Sequence, residues 1–302
     1  MKHKPDPLLA PLTSLPEPLL LGISGGRDSV TLLHALIAAG RNPVLLHFNH
    51  RWRPESTQDA QFIRNLAKQH KLKAIIGHTK PGTAKTESEA RRERHAFFTR
   101  QARRLKIPHL ILAHHADDQV ETLLLQLLRG TGSAWGGMAA ERNTETLTLH
   151  RPWLTHWQKE IAAYATLKKL SWREDTTNTD PNPLRNRLRL KLIPLLETEY
   201  EPAIRHRLLR LADILRADQE WTESLVATAA RQEKLPLTEL KGKPIGHQRR
   251  LLRAWLQHLH ITDLSFEDIE AARSLVENIR PAKVNLSRGR HLRRQAGSLF
   301  VE

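Results

Sequence analysis

The sequence predicts an α/β fold with a doubly wound, mostly parallel sheet. Short apolar runs with the character of buried strands alternate with longer segments whose apolar residues recur near the helical period. The predicted strands cover residues 19–23, 43–48, 73–77 and 109–113, and the predicted helices cover about residues 29–39, 55–70 and 86–106. This alternation is typical of βαβ units, which bind ligands where their parallel strands end.

The first predicted strand ends in the glycine loop Ser24-Gly25-Gly26-Arg27-Asp28-Ser29, and a helical pattern follows it. Glycines allow the positive φ angles of a tight phosphate-binding turn, and the serine hydroxyls can donate to an anion at the start of a helix. Asp28 would repel bare phosphate, so its presence indicates Mg²⁺ beside the phosphates. The pattern is neither a Walker A loop nor a G-x-G-x-x-G motif. The alternative is a plain glycine-rich turn.

A second cluster, with His114, His115, Asp117, Asp118 and Glu121, follows the fourth predicted strand. We expect it at the same edge of the sheet as the glycine loop. Asp118 and Glu121 are three residues apart on a predicted helix, so both can reach one metal ion or one substrate group. Two alternatives stay open: a transition-metal site that uses the histidines, and a helix cap formed by Asp117.

Length and composition restrict the class of protein. A chain of 302 residues predicts two domains, and 48 Lys and Arg against 32 Asp and Glu give a net charge of +16, which favours a polyanionic partner. The chain has no cysteine, which excludes disulfides, thiolate metal sites and cysteine nucleophiles. The proline-rich first 20 residues resemble neither a signal peptide nor a membrane span, and we expect a cytoplasmic location.

The second half of the chain changes character after a turn-rich stretch at 175–183. Residues 184–232 are predicted to be helical, with a break near Tyr200-Glu-Pro202. The remainder predicts helices at 247–259 and 265–278 and short strands near 284–286, 291–294 and 298–301. We therefore predict a first domain at 1–215, with a helical extension and linker at about 184–232, and a small α+β domain at 216–302.

Several motifs together resemble the tRNA(Ile)-lysidine synthetases of the PP-loop ATP pyrophosphatase superfamily. They occur in that family's order over nearly the whole chain: SGGRDS at 24–29, FNHRWR at 48–53, EARRERHAFF at 89–98, AHHADDQVET at 113–122, RGTGSAWGGM at 129–138, RPWL at 151–154 and WREDTTNTDPNPLRNRLR at 172–189.

The resemblance implies an ATP-dependent ligase that acts on isoleucine tRNA with a CAU anticodon. Such an enzyme adenylates the wobble cytidine at C2, joins L-lysine there through its ε-amine, and releases AMP and pyrophosphate. ATP and Mg²⁺ are the implied cofactors, tRNA and L-lysine are the implied partners, and no membrane is involved. The oligomeric state stays open, with a homodimer among the options.

The resemblance also assigns roles by position. ATP would contact Ser24, Gly25, Gly26, Arg27, Asp28, Ser29, Arg91 and Arg94. Mg²⁺ would bind near Asp28 and Asp118. Catalytic roles would fall to Asp28, Asp118, Glu121, His115, Arg185 and Arg189.

Three other functions are weighed against this one. A PP-loop tRNA thiolase is disfavoured because the chain has no cysteine, and a small-molecule PP-loop amidotransferase does not explain the net charge of +16. A noncatalytic tRNA-binding protein explains the charge but leaves the two motif clusters without a role. Basic stretches at 85–106, 185–191 and 283–294 are the predicted RNA contacts.

Overall fold

A computed structural model describes residues 6–50, 56–79, 86–130, 135–174, 183–261, 264–277, 282–286 and 289–302. The contacts within the chain form two compact units. The first unit comprises residues 1–122 and 138–209, and the second comprises residues 123–137 and 210–302. Most of the turn-rich stretch predicted at 175–183 lies outside the described residues.

The first unit contains a six-stranded sheet. Its strands are β1 (Leu19–Gly22), β2 (Val44–Asn49), β3 (Ala74–His78), β4 (His109–Ile111), β5 (Glu141–Asn143) and β6 (Thr148–His150). The order is β3-β2-β1-β4-β6-β5, and all neighbours pair in parallel except the edge strand β5. The predicted doubly wound, mostly parallel sheet is confirmed. Because the strand order reverses between β1 and β4, the loops that follow these two strands flank the ligand-binding crevice.

The helices that begin in this unit are α1 (Ala10–Thr13), α2 (Arg27–Ala38), α3 (Ser56–Gln69), α4 (Glu87–Leu105), α5 (Ala116–Arg129), α6 (Gln158–Leu167), α7 (Leu184–Arg187), α8 (Ile193–Glu199) and α9 (Ile204–Val226), and α5 and α9 each end in the second unit. Leu19 and Leu21 of β1 pack in one core with α2, α3 and α6, while Leu20 packs in the other with α4. Successive strand residues thus supply opposite cores, as a buried central strand requires.

Three features differ from the sequence prediction. The helix α2 begins at Arg27, two residues before the predicted start at 29, so Asp28 lies in its first turn. The β5–β6 hairpin was not predicted, since strands of three residues are too short to show a periodic pattern. The helix α6 was also not predicted.

Trp153 joins the N-terminal segment to the sheet. It is fully buried, its Nε1 donates to the carbonyl of Leu8 at 3.0 Å, and its backbone forms a parallel bridge with His115.

We expect Trp153→Phe to destabilise the protein by about 1–3 kcal/mol, because the buried Leu8 carbonyl loses its donor. Urea unfolding measures this loss. The matched control is Trp221→Phe, where the tryptophan is 64% exposed, and equal unfolding midpoints for the two variants would contradict the assignment.

The second unit contains an antiparallel sheet of four strands. The strands are β7 (Leu235–Pro236), β8 (Lys283–Asn285), β9 (His291–Gln295) and β10 (Ser298–Val301), in the order β7-β10-β9-β8. The helices α10 (Ile245–His258) and α11 (Phe266–Glu277) pack on a core around Trp255. This confirms the predicted α+β character, although β7 was missed. None of the helices described is both long and apolar enough to cross a bilayer.

Candidate active site

The glycine loop after β1 is held by two serine hydroxyls. Ser29 Oγ accepts the backbone N–H groups of Ser24 and Gly25 at 3.2 and 3.3 Å, and it donates to the carbonyl of Gly26 at 3.0 Å. Ser24 Oγ in turn accepts the N–H of Gly26 at 3.2 Å. These bonds fix the path of the loop into α2.

Only one of the two loop glycines needs its conformational freedom. Gly25 has φ +96°, in the region that favours glycine, whereas Gly26 has φ −73° and is the extended residue before α2. The positive φ angle that the sequence predicted for this turn therefore occurs at Gly25 and not at Gly26.

Three predicted site residues meet where β1 and β4 end. His115 Nε2 lies 3.5 Å from Asp28 Oδ2 and 3.5 Å from Asp118 Oδ2. The Asp118 carboxylate also accepts the backbone N–H of His115 at 3.1 Å, at the start of α5. The two motif clusters thus lie together at the predicted edge of the sheet.

The protonation of this group follows from its charges. Burial opposes ionisation of Asp28, but hydrogen bonding and charge from His115, together with the charge of Arg27, outweigh it and lower the pKa of Asp28. Burial likewise opposes a charge on His115, but the hydrogen bond with Asp28 and the charges of Asp118, Asp28 and Asp117 outweigh burial and raise its pKa. The carboxylates around His115 thus stabilise its protonated form by more than burial destabilises it.

Arg185 and Arg189 bind two of the three carboxylates of α5 through forked hydrogen bonds. Arg185 donates from Nε to Glu121 at 2.6 Å and from Nη2 to Asp118 at 2.7 Å. Arg189 donates from Nε and Nη2 to the two oxygens of Glu121 at 2.6 and 3.1 Å. Glu121 is almost completely buried, and burial, which raises its pKa, is outweighed by the two arginines, so the pKa of Glu121 is lowered. Both guanidiniums are therefore held by carboxylates of α5 through charge-assisted hydrogen bonds.

Asp117 connects the start of α5 to neighbouring elements. Its carboxylate accepts the backbone N–H of Gln158 at 2.8 Å and the guanidinium of Arg205 at 3.0 Å, and it lies 3.6 Å from His115 Nδ1. Asp117 therefore does not cap its own helix, as one sequence alternative held. Gln158 also donates from Nε2 to Asp28 at 3.4 Å.

The predicted ATP residues Arg91 and Arg94 lie on α4 among histidines that are held neutral. Burial, followed by the charges of Arg91 and Arg94, lowers the pKa of His95 to about 4. Burial also places the pKa of His114 well below its usual value, with Arg151, Arg185, Arg91 and Arg94 adding to the effect. The site thus has a strongly positive side next to its carboxylates.

The carboxylates fit a magnesium ion better than a transition metal. Among the described residues, no group of three or more His, Cys, Asp or Glu side chains could hold a metal ion. Magnesium bound with a nucleotide typically takes only one or two protein carboxylates and completes its shell with phosphate and water. Asp28 and Asp118, which share the contact with His115, meet that smaller requirement.

Sequence reasoning missed three residues around this site: Arg151, Gln158 and Arg205. Arg151 stands in the RPWL motif and is buried; its Nη1 donates to the carbonyl of Ala139 at 2.8 Å, while Nε has no partner among the described atoms. No motif marks Gln158 or Arg205, because their contacts join residues that are 41 to 130 positions apart in sequence.

Comparison with protein families gives two matches. A PP-loop domain, ATP_bind_3, matches residues 4–196, and the TilS substrate binding domain matches residues 235–300. Among solved structures, a U34-tRNA thiolase, NcsA, from Methanococcus maripaludis has a TM-score of 0.53 at 16% identity, over 65% of this chain and 71% of that one. That likeness concerns the fold alone.

Curated relatives match over most of the chain. The tRNA(Ile)-lysidine synthase of Thermosynechococcus vestitus is 34% identical over 91% of this chain and 83% of its own length. The enzyme of the same name from Thermus thermophilus is 35% identical over 94% of this chain, which spans only 57% of that relative. The Bacillus subtilis relative of that name is 32% identical over 80% of this chain and 55% of its own length. With its PP-loop ATP-binding domain and the glycine loop, carboxylates and arginines described above, the chain belongs to the tRNA(Ile)-lysidine synthase family.

Proposed function

We propose that this chain uses ATP to join L-lysine to C2 of the wobble cytidine in the CAU anticodon of isoleucine tRNA. The observation that carries the proposal is the contact of His115 with Asp28 and Asp118 directly beside the glycine loop. Arg185 donates a hydrogen bond to Asp118 in the same group. Family membership supports the choice of tRNA and of ligation over the alternative functions.

The glycine loop is our proposed site for the ATP phosphates. Backbone N–H groups at the start of α2 and the hydroxyls of Ser24 and Ser29 suit the recognition of phosphate oxygens. Asp28 and Asp118 would hold Mg²⁺, which supplies charge stabilisation during attack on the α-phosphate. Arg91 and Arg94 are proposed to add positive charge toward ATP or RNA phosphate.

The chemistry requires activation because cytosine O2 is a poor leaving group. Attachment of AMP to that oxygen lets the ε-amine of lysine attack C2, with AMP released and one proton lost from the amine. His115 lies 3.5 Å from both Asp28 and Asp118, where its imidazole would donate to a phosphate oxygen. A nearby carboxylate or His115 would accept the proton of lysine. The wobble base is already single-stranded, so unstacking it costs little.

The proposal is tested by incubating the protein with ATP, Mg²⁺, labelled lysine and total tRNA, and identifying the labelled nucleoside by mass. We expect lysidine in isoleucine tRNA and ATP–pyrophosphate exchange that depends on tRNA. A sulfur-containing nucleoside, or tRNA binding without exchange, would overturn the proposal in favour of a thiolase or a noncatalytic binding protein, respectively.

We propose that the second unit binds tRNA at a distance from the anticodon. Lys283 on β8 and Arg290 before β9 are both exposed. We expect Lys283→Gln combined with Arg290→Gln to weaken tRNA binding and to reduce the slope of log affinity against log salt by about 2, because each phosphate contact releases counterions. Filter binding over a salt series measures both effects. An unchanged slope would assign this surface to another role.

A further inference from the structure

A basic hollow lies between α4 and the β5–β6 hairpin, within the first unit. It has a volume of about 590 Å³, and its walls carry Arg91, Arg92 and Arg103 from α4 and Arg142 from β5. Thr99, Thr144 and Thr146 add hydroxyl groups, and Glu145 is the single acid among the described residues that line it. Guanidinium and hydroxyl groups are the donors that proteins use for phosphate oxygens.

Three arginines of the hollow, Arg92, Arg103 and Arg142, have no carboxylate partner among the described residues. Arg92 and Arg142 are exposed and form no ion pair with a described residue. Arg103 donates from Nε and Nη2 to Thr146 Oγ1 at 3.1 and 2.8 Å, so a hydroxyl and not a carboxylate positions its guanidinium. The neighbouring Arg151 is 4% exposed, and burial followed by the charges of Arg142 and Arg91 lowers its pKa to about 10. This crowding of cations favours a polyanion at the surface.

The hollow extends from the catalytic edge of the sheet toward the opposite edge. Because β3 and β4 run parallel, α4 between them starts at the carboxyl edge and ends at the amino edge. The 12 residues from Arg91 to Arg103 correspond to about 18 Å along the helix. Arg91, in the second turn of α4, is the lining arginine nearest the carboxyl edge, where the catalytic residues lie.

We propose that this hollow binds phosphodiester groups of the tRNA strand next to the anticodon, so that the RNA leaving the catalytic edge follows α4 toward the β5–β6 hairpin. This inference rests on the proposed function, which places the wobble base at that edge. Phosphate contacts of this kind position an RNA without reading its sequence.

The test uses the full chain and an isolated anticodon stem–loop RNA with a CAU loop. Arg92→Gln combined with Arg142→Gln is expected to weaken binding about tenfold at low salt and to reduce the salt slope by about 2. The matched control, Arg64→Gln with Lys68→Gln on the exposed side of α3, removes the same charge elsewhere in the first unit and should leave both values near wild type. Arg92→Lys with Arg142→Lys should keep most of the salt slope.

Three outcomes would overturn the inference: unchanged RNA binding by the glutamine pair, equal weakening by the control pair, or a loss of ATP affinity in place of RNA affinity. The first outcome means that the hollow does not contact RNA, the second that only total charge matters, and the third that the hollow serves the nucleotide. Lysidine formation by the unaltered protein is measured separately. Its absence would overturn the proposed function, while a slope change confined to Arg92 and Arg142 would still support the hollow as an RNA site.

Discussion

Replacement of Asp28 with asparagine is expected to lower lysidine formation by about three orders of magnitude, roughly 4 kcal/mol of transition-state stabilisation. Asparagine keeps the size of the side chain and can keep the 3.4 Å contact with Gln158, but it removes the negative charge beside the glycine loop. In the proposed function that charge would hold Mg²⁺ at the phosphates, and it lies 3.5 Å from His115. Single-turnover formation of lysidine with saturating ATP, lysine and tRNA measures the loss.

Binding of tRNA should change little in the Asp28 variant, because the basic residues that we propose to contact tRNA lie elsewhere. Asp213→Asn on α9, which removes a mostly exposed carboxylate paired with Arg216, is the matched control and should retain normal turnover. A near-normal rate for Asp28→Asn at saturating Mg²⁺ would mean that Asp28 only shapes the first turn of α2.

Glu121→Gln is expected to lower lysidine formation about a hundredfold and to destabilise the protein by about 2 kcal/mol. Glu121 is 1% exposed and is the shared acceptor of Arg185 and Arg189. Glutamine offers one acceptor oxygen, and its amide donors face guanidinium donors, so neither fork can persist. The destabilisation is below the usual cost of breaking a buried ion pair because the two arginine side chains are 28% and 31% exposed.

The stability difference for Glu121 should depend on pH in a defined direction. The pKa of Glu121 is lowered from 4.5 in the folded protein, so its stabilisation is fully present above that value and is lost as the pH falls through the folded pKa. The gap in unfolding midpoint between wild type and Glu121→Gln should therefore shrink on acidification below 4.5. Glu199→Gln, an exposed carboxylate on α8, is the control. A gap that stays constant into acid would contradict a stabilising charge on Glu121.

Much of the fold could be predicted because its central strands are buried on both sides. The apolar run at β1 supplies both cores through alternating residues, and this produces a continuous signal in the sequence. The β5–β6 hairpin produces no such signal, since β5 is an exposed edge strand of three residues. The strand β5 pairs with β6 across the turn, and β6 pairs with β4, which lies earlier in the sequence.

The candidate site likewise has features that the sequence predicted and features that it did not. The order of strands and the positions of Asp28, His115 and Asp118 after β1 and β4 predicted their meeting, because parallel strands end at one edge. Arg185 and Arg189 entered the predicted site through the family resemblance. No sequence motif indicated that Arg185 and Arg189 would both bind Glu121.

Local residue patterns were enough to predict the parallel sheet, the phosphate-type loop, the family and the positive charge. The pairing of charged and polar groups could be found only in the folded chain. Gln158 and Arg205 reach Asp28 and Asp117 across 130 and 88 positions of chain, and Arg142 meets α4 through a hairpin without a sequence signal. Electrostatic interactions depend on distances in space, and only the packing of helices on the sheet sets those distances.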